Sequence, residues 1–544
     1  QTGGTSSVGS WPMAGANPQR TSWTSEEVPG KLNPIWYRVI EPYIAPHVQI
    51  IAANGLLYIS TASGLYALDA TTGETAWVYP TELPLGNAPT VFNGVVYVGG
   101  YDHKLYALDA ITGQFKWAYE ATAGFVTNPL VLEMDGRTLI YAGNRDGYLY
   151  AVEDLGTTPD LLWSYQTQGP ILFSAAYVDD TVYVVSNDSY AYALDARTGD
   201  PVWQSPKLPG AGFHAWWPVI YQNPALGADV VILAGSSNYR FLLEPSYGYD
   251  LQGRENNDVW PDRANQPRGT LFGTLNPDGT VNARRVLQYF EAKPWRRTYI
   301  ILDRQTGQEV TFDFDGDGKP EYAPVLWHGT HSGNRYPPIV GADGLLYQSN
   351  TYMSDPNITA GQVSGWKYGT PAITVASPLW RAMDEPLAYS AGGNVIYWSH
   401  CNDRSAGAFD ISIPNDRIYP ENLNPNREWV YFDAVGLVSR LPGYNILYEG
   451  LNPTNYGINS LFRGTTASSN GIYGQHGHQN PPIPYAGRVY LHRSNAVIAF
   501  GNYTGNPVQL PRAATLAAPE ADLSISGYEL RQKLATEVSK MLNA

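Results

Sequence analysis

The sequence predicts an all-β fold, an eight-bladed β-propeller, from three observations. A unit of short strands and turns fills residues 54–80 (NGLLYISTASGLYALDATTGETAWVYP). It returns as NGVVYVGGYDHKLYALDAITGQFKWAYE from Asn93, as GRTLIYAGNRDGYLYAVED with Leu162-Trp163-Ser164-Tyr165 from Gly136, and as DTVYVVSNDSYAYALDARTGDPVWQ from Asp180. The tryptophans of these copies, Trp77, Trp117, Trp163 and Trp203, lie 40, 46 and 40 residues apart. The third observation is that each end of the chain holds a fragment of one further unit. A four-stranded antiparallel unit of about 40–50 residues cannot bury both faces alone, so copies stack, and all-strand repeats of this period close into a ring.

Taken in order, the chain opens with a polar arm, residues 1–10 (QTGGTSSVGS), followed by Trp11-Pro12 and, further on, Arg20-Thr21. Pro34-Ile35-Trp36-Tyr37-Arg38-Val39-Ile40 reads as an outermost strand with no inner partners upstream. The partners stand at the other end, where Arg488-Val489-Tyr490-Leu491-His492 and Ala496-Val497-Ile498-Ala499-Phe500 repeat the middle strands without a Trp-bearing strand after them. Sharing one blade between the two ends closes the ring and leaves no open edge. Middle strands around Tyr58, Tyr97, Tyr141, Tyr183, Val231, Tyr347, Tyr397 and Tyr490 give eight units, with seven as the alternative if one degenerate unit has been counted as a blade.

The propeller is expected over residues 11–505, with insertions at about 239–297, 413–427 and 436–474. Long loops on a rigid scaffold are where function concentrates. A Pro/Ala linker at 506–523 leads to residues 524–544, expected to form an amphipathic helix. Ser526 would be its N-cap, Glu529 the reciprocal capping residue, and Leu530, Leu534, Val538 and Met541 its apolar stripe. That helix would dock on its own propeller or contact a neighbour.

The motif Y-A-L-D-A-x-T-G-x-x-x-W resembles the repeat of the PQQ-like (quinoprotein-type) β-propellers, and Trp11-Pro12 with Arg20-Thr21 resembles the opening that precedes the first blade in that family. The resemblance covers residues 11–505, sharply over the first four units. It implies either of two activities, because the family includes quinoprotein alcohol dehydrogenases and non-enzymatic members such as the propeller lipoprotein of outer-membrane barrel assembly. The Asp, Gly and Trp of the motif serve the fold: the turn reverses the chain and the indole fills the seam between blades.

Composition narrows the function. A net charge of -15 and the lack of a basic stripe argue against nucleic acid as a partner, since phosphate recognition needs clustered Lys and Arg. The single cysteine, Cys401, forbids an intrachain disulfide, and no run of 18 apolar residues spans a membrane. A start at Gln1 in a flexible arm reads as an exported, periplasmic, cell-surface or extracellular protein after loss of a signal peptide; a trimmed chain is the alternative.

Two clusters could carry chemistry. Asp313-Phe314-Asp315-Gly316-Asp317-Gly318-Lys319-Pro320-Glu321 sets carboxylates at positions 1, 3, 5 and 9 with a glycine at 6, so Asp313, Asp315, Asp317, Glu321 and the main-chain carbonyl of Lys319 are the expected calcium ligands. The bidentate acid usual at position 12 is replaced by Pro324. The histidines form the second cluster. His214, His328, His331, His476 and His478 precede innermost strands and His400 follows a middle strand, which places them, with His47, His103 and His492, around the channel mouth. They are a candidate transition-metal or ligand face, or simply neutral imidazoles bonded to loop backbone. Pyrroloquinoline quinone is not expected, because the adjacent Cys-Cys pair that the resemblance would call for is missing. No phosphate loop, nucleophile elbow or H-E-x-x-H motif occurs. The reading is therefore a secreted or cell-surface scaffold with a structural calcium loop. It would bind protein partners or self-assemble through the insertions and the C-terminal helix. The alternative is a metal- or quinone-dependent periplasmic oxidoreductase using the histidine face.

Overall fold

The structure is a computed structural model. It describes residues 9–30, 32–40, 42–45, 47–209, 213, 215–234, 291, 294, 297, 299–312, 317–323, 336–347, 388–399, 406–412, 431–432, 480–493, 496–505 and 508–510. Among the described residues its named elements are strands and one short 3-10 turn, Pro224–Leu226, and no helix among them is long and apolar enough to cross a membrane.

Seven sheets of three to five strands stand as blades. Blade one runs outward through Ile51–Ala53, Leu56–Thr61, Gly64–Asp69 and Thr75–Pro80, all antiparallel. Blades two to four repeat it, ending in the outer strands Phe115–Glu120, Pro159–Gln166 and Pro201–Gln204. Blade five has three strands, Val219–Asn223, Ala228–Leu233 and Ile300–Asp303. Blade six begins at Ala388–Gly392, and Trp23–Thr24 pairs parallel to that inner strand. In blade seven Asn33–Val39 lies antiparallel on Ala496–Gly501, and Val508–Gln509 adds a parallel strand outside it, so both ends of the chain share one sheet.

The eight blades expected from the sequence are corrected to seven. The unit counted around Tyr347 gives only a two-stranded ladder among the described residues, Ile339–Val340 with Leu346–Tyr347. Its sequence has the middle-strand tyrosine but lacks the D-x-x-T-G turn of the first blades, and residues 348–387, Trp366 and Trp380 among them, lie outside the described residues. The expected C-terminal helix is corrected too: the described fold is all-β, and residues 524–544 lie outside the described residues. So do the insertions at 413–427 and 436–474 and nearly all of 239–297.

What joins blade to blade is one contact repeated. The tyrosine of a second strand and the tryptophan of the fourth both reach the turn of the following blade. Tyr58 Oη and Trp77 Nε1 donate to the Ala110 carbonyl, each at 3.1 Å. Tyr141 Oη and Trp163 Nε1 donate to Ala196 at 2.8 and 3.1 Å. At ring closure Tyr490 Oη donates to Ala70 at 2.8 Å and Trp36 Nε1 to Thr71 at 3.1 Å. Where the turn reads Glu153-Asp154-Leu155-Gly156, the Asp154 carboxylate substitutes for the carbonyl, accepting Tyr97 at 2.6 Å and Trp117 at 2.7 Å.

The turn is built to receive the indole. Asp109 Oδ1 accepts the amides of Ile111 and Thr112 at 3.0 and 2.8 Å, which folds the chain back on itself. Gly113 then sits at φ +71°, where a Cβ would lie 2.5 Å from the Trp77 ring. A second aromatic layer backs the first: Tyr79, Tyr119 and Tyr165 pack on Tyr106, Tyr150 and Tyr192 of the next blade at 5.7, 5.6 and 5.6 Å.

Trp77→Ala is expected to cost about 3–5 kcal/mol, the range for deleting a buried large aromatic, and Gly113→Ala to destabilise through both its φ and the collision. The exposed Thr75→Ser, which keeps the hydroxyl that accepts Arg38 Nη1 at 3.1 Å, should be nearly neutral. Chemical denaturation of the three variants checks the ranking; a Gly113→Ala protein as stable as wild type would contradict the seam geometry.

Candidate functional site

The axis of the ring is the place where several blades can act on one object, and here it is occupied by the chain's own N-terminal segment. From Trp11 to Thr24 this strap passes the innermost strands in turn. Trp11 exchanges amide bonds with Ala52 of blade one at 2.8 and 2.9 Å. The carbonyls of Pro12, Pro18 and Gln19 accept Val91, Tyr177 and Ile220 of blades two, four and five at 2.7, 2.9 and 3.0 Å. Those of Thr21 and Ser22 accept Val340 of the ladder and Ala391 of blade six at 3.0 and 2.8 Å.

Arg20 fixes the middle of the strap. Its guanidinium is fully buried and donates to the carbonyls of Ala14 at 2.5 Å, Ala175 at 2.9 Å and Asn128 at 3.4 Å. Burial lowers its pKa to about 9, so it stays charged at neutral pH and main-chain dipoles solvate it. Gly15, at φ +72°, lets the strap pass close to Arg20 and the Trp217 indole.

A buried aromatic cluster packs beside the strap. Gln49 Oε1 accepts Trp11 Nε1 at 3.1 Å and the Gly15 amide at 3.2 Å, and Gln49 Nε2 donates to Tyr336 Oη at 2.7 Å. Tyr336 stands edge-on to Trp216 at 4.9 Å, Trp217 at 5.9 Å and Tyr389 at 5.3 Å. Burial raises the Tyr336 phenol well above its ordinary value, so it remains a neutral donor and acceptor.

The six candidate histidines, His214, His328, His331, His400, His476 and His478, lie outside the described residues, as does Cys401. Two other histidines come together at the joint between blades seven and one. His492 is fully buried with Nε2 2.7 Å from the Val48 carbonyl, and burial, followed by the charge of His492, pushes His47 down to about 4. Of the acidic loop, Asp313 and Asp315 lie outside the described residues. Asp317, Lys319 and Glu321 belong to a hairpin in which Thr311–Phe312 pairs with Glu321–Tyr322. Asp317 Oδ1 accepts the Lys319 amide at 2.9 Å, and Asp317 Oδ2 pairs with Lys319 Nζ at 2.7 Å. Among the described residues no three His, Cys, Asp or Glu side chains form a metal cluster.

A second surface had not been singled out in the sequence. Ile111, Phe115, Leu155, Leu161 and Val202 are 42–57% exposed, and all sit at the turns before the outer strands of blades two, three and four or at the starts of those strands. In blade one the corresponding positions are Thr71, Thr75 and Ala76. The signal was present in the repeat: large apolar residues one or two places before the seam tryptophan, where the first copy is small or polar. Exposed apolar side chains along open sheet edges mark a contact surface.

Comparison with known proteins accords with this architecture. The family model described as outer membrane protein assembly factor BamB matches residues 19–156, 61–236 and 135–286. The outer membrane protein assembly factor BamB of Alkalilimnicola ehrlichii is 28% identical over 251 residues, 44% of this chain and 51% of that protein, so the chain spans about half the length of this curated relative. Among solved structures, the quinohemoprotein alcohol dehydrogenase ADHIIG of Pseudomonas putida HK5 aligns at 14% identity and TM-score 0.48 over 95% of this chain and 84% of that one. BamB of Moraxella catarrhalis aligns at 14% and 0.34 over 70% and 88%. At those scores neither structure carries an argument.

The His47 pKa sets a pH dependence. The folded value near 4 lies below the ordinary value of about 6.5, so its contribution is complete above the ordinary value and is lost as pH falls through about 4. Urea midpoints should therefore drop across that window, and His47→Gln should flatten the drop; an unchanged profile in the variant would remove His47 from the account.

Proposed function

We propose, on the premise that this chain is a PQQ-like β-propeller whose family repeats span residues 19–286, that it is a protein-binding scaffold of the cell envelope, acting in assembly and not in turnover. The observation that carries the reading is the occupied axis. A propeller enzyme works on a ligand held where the inner strands converge, and in this chain the strap and the Gln49, Trp216, Trp217 and Tyr336 cluster use those inner-strand groups themselves. The exposed apolar rim of blades two to four is then the surface left for a partner. Large apolar side chains at the centre of a contact, with polar strand edges around them, are what a protein partner buries. The relative's name, an outer membrane protein assembly factor, supports the same class of role and an exported location.

The acidic hairpin belongs to this reading as a structural element. The pairing of Thr311–Phe312 with Glu321–Tyr322 brings the two ends of the loop together, as a chain wrapped round a cation requires. Asp313, Asp315, Asp317 and Glu321, with the Lys319 carbonyl, would hold one calcium ion, a hard cation matched to oxygen donors. When bound it would neutralise the clustered aspartates and pin the hairpin to blade five.

A photo-crosslinking residue at position 115, 161 or 202, introduced in the native host, is expected to give a discrete adduct with an envelope protein. No adduct at any of the three positions, together with dye-coupled alcohol oxidation by protein supplied with quinone and calcium, would replace the scaffold with the oxidoreductase. For the hairpin, chelator should lower the melting temperature by several degrees and Asp317→Asn should abolish the difference; equal melting with chelator and with calcium would refute a structural ion.

A further inference from the structure

We propose that the outer edge of blade three, from Trp163 to Gln166, is a seat for an extended segment of a partner protein, which joins that blade as a fifth strand. The inference rests on reading the rim as a contact surface, and it names how a partner takes hold of it.

The chain itself shows the mode of binding. In blade seven Val508 and Gln509 lie parallel on Trp36 and Tyr37, outside the strand that completes the sheet, and the Leu510 amide donates to the Tyr37 carbonyl at 3.1 Å. The start of such a seat is fixed. In blades one to four and in blade seven the residue before the seam tryptophan, Ala76, Lys116, Leu162, Val202 and Ile35 in turn, is skipped in the pairing with the third strand. A bulge of this kind breaks the ladder at one point. The added strand begins just beyond it, at the tryptophan, and the Leu510 side chain then lies in a slot between Trp36 and Gly73 of the following blade's turn.

Blade three reproduces this seat. Trp163 and Ser164 pair with Ala151 and Tyr150 as Trp36 and Tyr37 pair with Ala499 and Ile498, so Ser164, like Tyr37, directs its amide and carbonyl away from the sheet. Ser164 is exposed, and Pro159–Gln166 is the last strand of its sheet among the described residues. The turn facing Trp163, Asp195-Ala196-Arg197-Thr198-Gly199, matches Asp69-Ala70-Thr71-Thr72-Gly73. A Cβ on Gly199 would stand 2.7 Å from the Trp163 ring, as one on Gly73 would stand 2.6 Å from Trp36, so indole and glycine form the same slot.

The other open edges are guarded. Charge, proline and shortness keep an edge strand from pairing. Beyond its bulge blade one reads Trp77-Val78-Tyr79-Pro80 and ends on proline, blade two reads Trp117-Ala118-Tyr119-Glu120 and ends on a carboxylate, and blade four stops after Trp203-Gln204. Trp163-Ser164-Tyr165-Gln166 carries none of these devices, and Leu161, 42% exposed, stands just ahead of it. In strand addition the main chain supplies the hold and side-chain slots supply the choice. The partner segment is therefore extended, with an aliphatic residue two places after the one opposite Trp163, where Leu510 stands in blade seven.

The test uses the full chain and a labelled peptide, Thr-Val-Thr-Val-Gln-Leu-Thr-Val-Thr, which contains the sequence of residues 508–510. Saturable binding is expected, with deuterium exchange slowed several-fold over 160–167 and unchanged over 75–80. Methylating the peptide's leucine nitrogen removes the donor that corresponds to the Leu510 amide and should weaken binding about tenfold, the scale of one backbone hydrogen bond. The protein is unaltered in that comparison, so it stays decisive whatever a substitution does to the fold. Ser164→Pro, which blocks the outward amide at a position where an edge strand tolerates proline, should weaken binding as much, and Ser164→Ala should not. No binding, or equal binding of the methylated peptide, overturns the proposal. So does a dimer of the full chain that Ser164→Pro dissolves, which would assign the edge to a second copy. An envelope-protein adduct at position 161 that persists in Ser164→Pro would keep the scaffold and remove strand addition.

Discussion

A single blade of four short strands has two apolar faces and no means of covering either, so the fold depends on the contact that lets one blade serve as its neighbour's core. That contact is an aromatic pair aimed at a backbone carbonyl. The indole and phenol contribute area, and their polar tips fix the angle at which the next blade sits, because both must reach acceptors in the same turn. The seam between blades two and three shows how strict the requirement is. The turn there has changed, and a carboxylate now stands where the carbonyl did, accepting both donors at 2.6 and 2.7 Å. The Tyr97 phenol is raised by burial first and by this carboxylate second, so the seam keeps its proton throughout the physiological range. The chemistry of the acceptor varied; the geometry did not.

The strap answers a different problem. Seven inner strands facing one axis leave a row of backbone groups that neighbouring blades cannot satisfy, and unpaired buried backbone is costly. A segment that circles the axis and offers its carbonyls to most of those strands solves this with main-chain atoms alone. Its central turn is held by a buried guanidinium that is solvated by carbonyl dipoles. Such an interior is specific to the chain that fills it.

Much of this was legible in the sequence. The first four blades could be read because the turn aspartate, the glycine and the tryptophan recur in phase. The shared seventh blade could be read because the segment containing Trp36 lacked inner partners at one end and the strand containing Tyr490 lacked an outer one at the other. The blade count failed at Tyr347, where a middle-strand tyrosine stands for a whole unit although the D-x-x-T-G turn of the first blades does not follow it. The strap was not legible, since its work is done by carbonyls that any residue carries; only Trp11 and Arg20 hinted at it. The candidate histidines were read from register alone, and they lie outside the described residues.

The sheet shared by the two ends also sets a timetable. Val39 waits for Ala496, 457 residues further along the chain. At roughly 5–20 residues per second of synthesis, that strand has no partner for about 20–90 s, and throughout that interval the ring is an open arc with one unfinished edge. Closure then comes only after blades one to six have been made. Any factor that guards an incomplete arc would be acting on the N-terminal strand, and a chain cut short before Ala496–Gly501 would never lose that exposed edge.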